Sequence, residues 1–458
     1  VRDTFREETR SLPPEASRLV GLSRPLTLQP RTTYQALLYS DLPWADVTLS
    51  DGTTHTLDYP TYSRLLGSEN AADRRLVRES YRTSLASYRN TFAALMNSEI
   101  QSQHFLARAR HFKNALEARF LSDNLDPAVL TLTVEMAREH LPVYHRYLEL
   151  KKRLVGLEPF RVSDLFAPAR RVTERTYTFQ EARTAVQASL EVLGEEYSEG
   201  VSRAFEDRWF DVYPAENKRG FGGVTQVYGL HPYILLNFTG TYRDVNVVTH
   251  ELGHAIQFWL IDRHQPCVNS STSSFLFEMA AHFNEHLLVD HLLEEEEDRR
   301  VRLFILTRHL ESLTAALFGQ ARLAEFEHDM HLRVEGGGTL DADWLTERYL
   351  ELSREYQGHD QGLVIVDEIE GFGWIGIDQL FTSYYVVNYA SGMVAALAFK
   401  DMVDTQETAG VERYVEFLRS GGTDDPLVLL EQAGVDLTNP ETYRAAFRQF
   451  EALVAELE

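Results

Sequence analysis

Cysteine is all but absent: Cys267 is the sole example in 458 residues, so no internal disulfide can form and a thiolate metal cluster is excluded. Long apolar runs are missing as well. No stretch of about 18 apolar residues is present to span a bilayer, and the opening VRDTFREE is too polar for a signal peptide. A reducing cytoplasm is the simplest home for such a chain, although it opens on Val1 rather than Met, which leaves room for a segment ahead of it. Basic residues are in the minority, 45 Lys and Arg against 69 Asp and Glu, and the formal charge of -24 repels phosphate backbones and anionic lipid. Nucleic acid and membrane surfaces are therefore excluded as partners, and the acidity serves solubility. No internal repeat or low-complexity linker marks a clean domain boundary.

The chain has instead the composition of a folded protein, 44% hydrophobic and 25% charged. Its pattern is mostly helical. Val47 to Leu57, VTLSDGTTHTL, sets Asp51-Gly52 between alternating residues and predicts a hairpin. Apolar residues then recur every three or four positions from about Asn70 to Phe120 and from Pro127 to Val155, which predicts helices packed on helices. Between Arg208 and Phe238, RWFDVYPAENKRGFGGVTQVYGLHPYILLNF alternates aromatic and β-branched runs with glycine-rich turns and predicts a small sheet. Helical spacing resumes at Asp244 and runs to the end, with loops near Gly336–Gly338 and Gly358–Gly362; Glu294 to Arg300 reads as a solvated helix corner. The expected organisation is a mainly α chain with three regions: a mostly helical half over 1–200, the sheet and motif region over 201–400, and helices packing on it over 401–458.

VVTHELGHAIQFWL carries the chemistry. His250 and His254 stand four residues apart, so on a helix both imidazoles leave one face and can share an ion. Glu251, beside the first histidine, can reach a water held by that ion without being a ligand, as a general base must. Asp244 is placed to cap the start of this helix. A His-Glu-x-x-His match is short enough to arise by chance, but this one lies inside a strong helical pattern, follows a strand and turn, and precedes a second helix start at Ser270–Ser274. A catalytic zinc needs a third protein ligand and one open position. Glu278, in FLFEMAAHFNEHLL, is the best choice, because a carboxylate among Phe275, Leu276, Phe277, Met279 and Ala280 is poorly solvated and wants a cation. Two alternatives stay open: Glu278 as a buried carboxylate paired with an arginine, or His282 as the third ligand. Glu285 shares the helical face of Glu278 and is read as the partner that orients a ligand histidine.

With those residues in view, the chain resembles the oligoendopeptidase F family of thimet oligopeptidase-like zinc metallopeptidases. RWFDVY, HPYILLNF, DVNVVTHELGHA, FEMAAHFNEHLL, YYVVNYASGMVAALA from Tyr384 and EFLRSGGTDDPLVLLEQAGVDL from Glu416 resemble its consecutive blocks, in order and at family spacing. The resemblance covers most of the chain from about Tyr34. It implies a large helical, bowl-like zincin fold with a deep central channel, a small β-sheet next to the zinc helix, one Zn2+ per chain, and short unfolded peptides as substrates. It also implies that the strand at Tyr233–Phe238 offers a free edge to an extended peptide, and that Tyr385 and Tyr389 face the developing oxyanion. Gln379, Phe381 and Val387 depart from the family, which commonly has His, Tyr and Tyr there, with Asp378 a competing match for the histidine. Members also begin with a longer helical segment.

The implied reaction is internal cleavage of short oligopeptides, with Glu251 activating the water. Two other readings remain: a helical zinc carboxypeptidase, which would carry the same motif but trim only C-terminal residues, and a peptide-binding relative with impaired catalysis, suggested by the three departures. Oligomeric state is open.

Overall fold

Helix makes up about 70% of the chain, so the fold is mainly α, as the apolar spacing requires. The computed structural model describes residues 12–170, 172–218, 222–271 and 273–458. The opening VRDTFREE, part of the glycine-rich turn at 219–221 and Thr272 lie outside the described residues.

β1 (Asp46–Thr48) and β2 (Thr54–Thr56) pair antiparallel with Val47 opposite His55. The hairpin predicted at Asp51-Gly52 is present. Gly52 takes φ 85°, a conformation open to glycine at little cost, and the Asp51 carboxylate accepts from the Thr53 N–H at 2.8 Å and its hydroxyl at 2.6 Å.

The first long helical stretch is split into α1 (Ala71–Ala86), α2 (Arg89–Ala109) and a shorter helix at Ala115–Ser122. The second breaks at His140, between helices at Ala128–Glu139 and Leu141–Val155. Periodicity could not find these breaks, because helices on either side of a break bury residues at the same spacing.

β3 (Phe210–Asp211), β4 (Gly223–Thr225) and β5 (Tyr233–Leu235) form the predicted small sheet in the order β3-β5-β4, β5 running parallel to β3 and antiparallel to β4. This corrects one expectation. Over Tyr233–Leu235 the strand is central and paired on both sides, so among the described residues that stretch has no free edge to offer; the edge strands are β3 and β4. Its apolar content, Ile234 being 1% exposed, belongs to a core strand.

α3 (Tyr242–His264), α4 (Ser274–Glu295), α5 (Gln320–Glu335) and α6 (Val387–Gln406) are the helices that matter for chemistry. Asp244 does not cap α3. Thr241 does, its hydroxyl accepting from the Asp244 N–H at 3.2 Å while the Asp244 carboxylate accepts from the Thr241 N–H at 3.0 Å, a reciprocal box that fixes the helix start. The acidic run at the end of α4 is the corner expected of it: Glu296 ends that helix and Asp298 caps the next.

Contacts divide the chain into two compact units, each assembled from separated stretches, whereas the sequence reading ran in consecutive spans. One comprises the stretch to Ser122, Leu141–Arg170 and Gln320–Val387; its core includes Phe92, Met96 and Ile100 of α2 and Ala324, Phe326 and Met330 of α5. The other comprises Asp123–His140, Arg171–Gly319 and Asn388–Glu458, and its core is the seam of α3 and α4, where Val245, Val248, Leu252, Ile256, Met279, Ala280 and Phe283 are fully buried. Among the described residues no helix is long and apolar enough to cross a membrane. Cys267 is exposed and free.

Candidate metal centre

The seam of α3 and α4 closes tightly at Gly253. A Cβ there would stand 2.8 Å from the Ala280 carbonyl oxygen and 2.8 Å from the Ala281 Cα, contacts with backbone that no side-chain rotation relieves. Glycine thus lets the two helices touch beside His254, which carries Glu278, just ahead on α4, over the two histidines. Gly253→Ala is expected to lower stability by about 1–3 kcal/mol through overpacking and to reduce zinc uptake. Denaturant unfolding and metal titration check this; unchanged stability would mean that α4 yields at no cost.

The histidines and the glutamate do converge. His250 Nε2 lies 3.3 Å from His254 Nε2 and 3.4 Å from Glu278 Oε2, and His254 Nε2 lies 3.9 Å from the same oxygen. Ligands on a tetrahedral zinc with bonds of about 2.0–2.2 Å stand about 3.3–3.6 Å apart, so this N, N, O set fits the ion with small adjustment. Glu278 is less enclosed than its apolar neighbours suggest, with its side chain 34% exposed. Phe275, Leu276, Met279 and Ala280 are buried on other faces of α4, which leaves the glutamate on the open side. Among the described residues its ion-pair partners are the two histidines and not an arginine.

Each imidazole is held by a different device. His250 Nδ1 lies 2.8 Å from Glu285 Oε1, and the other oxygen of Glu285 lies 3.1 Å from His282 Nδ1. A proton on Nδ1 toward that carboxylate leaves Nε2 as a lone pair aimed at the cluster. His254 instead lies flat on Phe277, ring centroids 3.7 Å apart and planes 2° from parallel, while its buried Nδ1 finds no hydrogen-bond partner among the described residues. The sequence reading missed Phe277 and Gly253. An isolated glycine inside a helical pattern and an aromatic next to a ligand candidate are the signals that pointed to them.

The electrostatics describe a place for positive charge. Burial works against a charged His250, yet hydrogen bonds to Glu278 and Glu285 raise its pKa to about 10. Burial and the neighbouring His250 push His254 down to about 3. Burial alone would raise Glu285, but His250 and His282 hold its carboxyl well below the usual range. Without a metal the cluster therefore keeps a second proton on His250, on Nε2 toward Glu278, and a divalent cation is the natural replacement for it, freeing the Nε2 lone pair.

Glu251 is buried, and burial raises its pKa, with His250 pulling the other way. Its carboxylate sits against the lead-in to β4: a Cβ on Gly222 would lie 3.0 Å from Glu251 Oε1 and 2.9 Å from Val247 Cγ1, so a larger residue there would push both side chains aside. Edge strand β4 thus begins beside the glutamate.

Tyr385 and Tyr389 are both half-buried, but they belong to different units, Tyr389 standing in the first turn of α6. Tyr384 is buried. Of the departures from the family pattern, Phe381 is buried and stacks on Tyr34 with centroids 4.1 Å apart, Val387 is buried, and Gln379 is exposed. Asp378 is engaged by Gln35 at 3.2 Å and Arg31 at 3.6 Å.

Comparison with known proteins agrees with the resemblance read from the sequence blocks. The profile of peptidase family M3 matches residues 64–449. Oligopeptidase PepF of Bacillus subtilis is 32% identical over 99% of this chain, and the chain spans 66% of that protein's length. Group B oligopeptidase PepB of Streptococcus agalactiae is 30% identical over 93% of this chain and 70% of its own. The crystal structure of oligoendopeptidase-F from Enterococcus faecium superposes with a TM-score of 0.80 at 28% identity, covering 97% of this chain and 74% of that one.

Proposed function

The chain belongs to peptidase family M3, and on that premise we propose that it is a zinc-dependent endopeptidase that hydrolyses internal bonds of short, unfolded oligopeptides. The observation that carries this reading is the convergence of His250, His254 and Glu278 on one point, with the Glu251 carboxylate outside the set but near enough to feel the charges of His250 and Glu278. His250, His254 and Glu278 would hold the metal. When bound, zinc supplies Lewis acidity, which lowers the pKa of water toward about 7 and polarises a carbonyl.

The rest of the chemistry falls to side chains of the chain itself. Glu251 takes a proton from the attacking water as the C–O bond forms, and returns it to the amine nitrogen as the C–N bond breaks, so no covalent enzyme intermediate is needed. Glu285 fixes the tautomer and angle of His250. Tyr385 and Tyr389 are assigned, from the family block they match, to donate hydrogen bonds to the oxyanion. Among the described residues β4 offers an extended peptide an edge to pair with, in place of Tyr233–Leu235, and pairing there would lay it past Glu251.

The test is incubation with peptides blocked at both ends, with and without a chelator, and fragment masses read directly. Internal fragments are expected, lost on chelation and restored by zinc. If only peptides with a free C-terminus are shortened, one residue at a time, the carboxypeptidase reading replaces this one. If no peptide is cut by zinc-loaded protein, the reading gives way to a binding role.

A further inference from the structure

Glu327 is fully buried in α5 and has no part in the metal cluster. One carboxylate oxygen accepts the backbone N–H of Tyr384, and the other has no hydrogen-bond partner among the described residues. Burial raises its pKa to about 8, with the Tyr384 N–H and Arg119 pulling the other way, so at neutral pH it is mostly the uncharged acid, which still keeps an acceptor oxygen for that N–H. A carboxyl group is an expensive way to fill a core position, and it holds a backbone that needs holding. Tyr384 takes φ 48°, a left-handed conformation that a bulky residue adopts only where its surroundings impose it.

The same helix grips the Tyr384 side chain. His328 Nδ1 lies 3.1 Å from its hydroxyl, and the His331 ring stacks on it at 4.5 Å and 18°. Phe120 meets its edge at 6.1 Å. The next residue is Tyr385, half-buried, whose N–H donates to the Thr382 carbonyl at 3.0 Å in the turn that leads into α6. Glu327, His328 and His331 thus clamp, by backbone and by ring, the residue that sets where Tyr385 begins.

We propose that Glu327 is a positioning residue: by accepting the Tyr384 N–H it locks the left-handed turn that aims the Tyr385 hydroxyl. This rests on the assignment of Tyr385 to the oxyanion. The requirement is an oxygen at the reach of a glutamate, not a charge, and a displacement of about 1 Å in such a group can lower turnover about a hundredfold.

Glu327→Gln keeps that oxygen in place, whereas Glu327→Asp keeps the acid but withdraws it by one methylene. Steady-state kinetics on zinc-loaded protein with a fluorogenic end-blocked peptide are expected to give near wild-type kcat for Glu327→Gln. For Glu327→Asp the expected result is a kcat lower by about ten- to a hundredfold, with KM and zinc content unchanged. In a Tyr385→Phe background, Glu327→Asp should add little further loss. Wild-type kcat in Glu327→Asp while Tyr385→Phe is impaired overturns the positioning role alone, as does an undiminished further loss in the Tyr385→Phe background. Wild-type kcat in Tyr385→Phe removes the oxyanion assignment and the route through it together. Should Glu327→Asp fail to fold, His331→Leu, which removes the ring under Tyr384, is read in the same way against Tyr385→Phe.

Discussion

Glu251→Gln is expected to purify with a full equivalent of zinc and to turn over peptide about a thousand- to ten-thousandfold more slowly, at the upper end of what a general base contributes. Three glutamates stand at the cluster, and their geometry suits them to different duties. Both oxygens of Glu285 are engaged, one by His250 and one by His282, so neither is available to move protons. Glu278 directs an oxygen at both Nε2 atoms, which is where a ligand belongs. Glu251 makes no such contact and lies against Gly222 at the start of an edge strand, where a peptide would pass. Glutamine matches it in shape and fits the same tight space, but its amide cannot accept the proton of the water. The variant should therefore bind peptide with little change in KM and lose kcat alone. Metal analysis beside kinetics checks this. Zinc lost from Glu251→Gln would make Glu251 a ligand, and a kcat within tenfold of wild type would put the base elsewhere.

The grouping of His250, His254 and Glu278 is largely legible in the sequence. Spacing alone places His250 and His254 on one face, and the distance to Glu278 is bridged by a second helix whose start, at Ser273, the sequence announces. What spacing cannot give is depth. The way α4 meets α3 depends on a backbone contact at Gly253, and nothing in a helical pattern distinguishes a glycine that permits contact from one that merely tolerates its place. The sheet shows the same limit. A small sheet was visible in the composition of Arg208–Phe238, but strand order is not a property of any one strand, and Tyr233–Leu235 is the middle one because β4 returns to its far side. Asp244 reads as the cap of α3 because aspartate suits the N-cap by type, and only the hydrogen bonds place it at the third position of a box that Thr241 opens. Breaks at Ser87–Tyr88 and His140 were invisible for a related reason: an apolar stripe continues through them.

Glu278→Ala is expected to lose zinc outright, its affinity falling by about a thousandfold or more, beyond the ten- to hundredfold that removal of an outer hydrogen-bond partner costs. The substitution discriminates between two groups that share His250. One is His250, His254 and Glu278; the other is His250, His282 and Glu285. In the second, Glu285 stands 2.8 Å from His250 Nδ1 and 3.1 Å from His282 Nδ1, closer than two ligands on one tetrahedral zinc, at about 3.3–3.6 Å, would stand. Those are the lengths of hydrogen bonds, with a proton between the heavy atoms. In the first, separations of 3.3, 3.4 and 3.9 Å leave room for an ion among them. On this proposal His250 would turn Nδ1 to a carboxylate that orients it and Nε2 to the metal, and the two groups would be consecutive shells around one ion. Glu285→Gln should accordingly weaken zinc binding by about ten- to a hundredfold while Glu278→Ala abolishes it at micromolar zinc, as read by titration against a competing chelator. The reverse order, with zinc kept in Glu278→Ala and lost in Glu285→Gln and His282→Ala, would move the metal to the other side of His250 and leave Glu278 as a bystander on an open helix face.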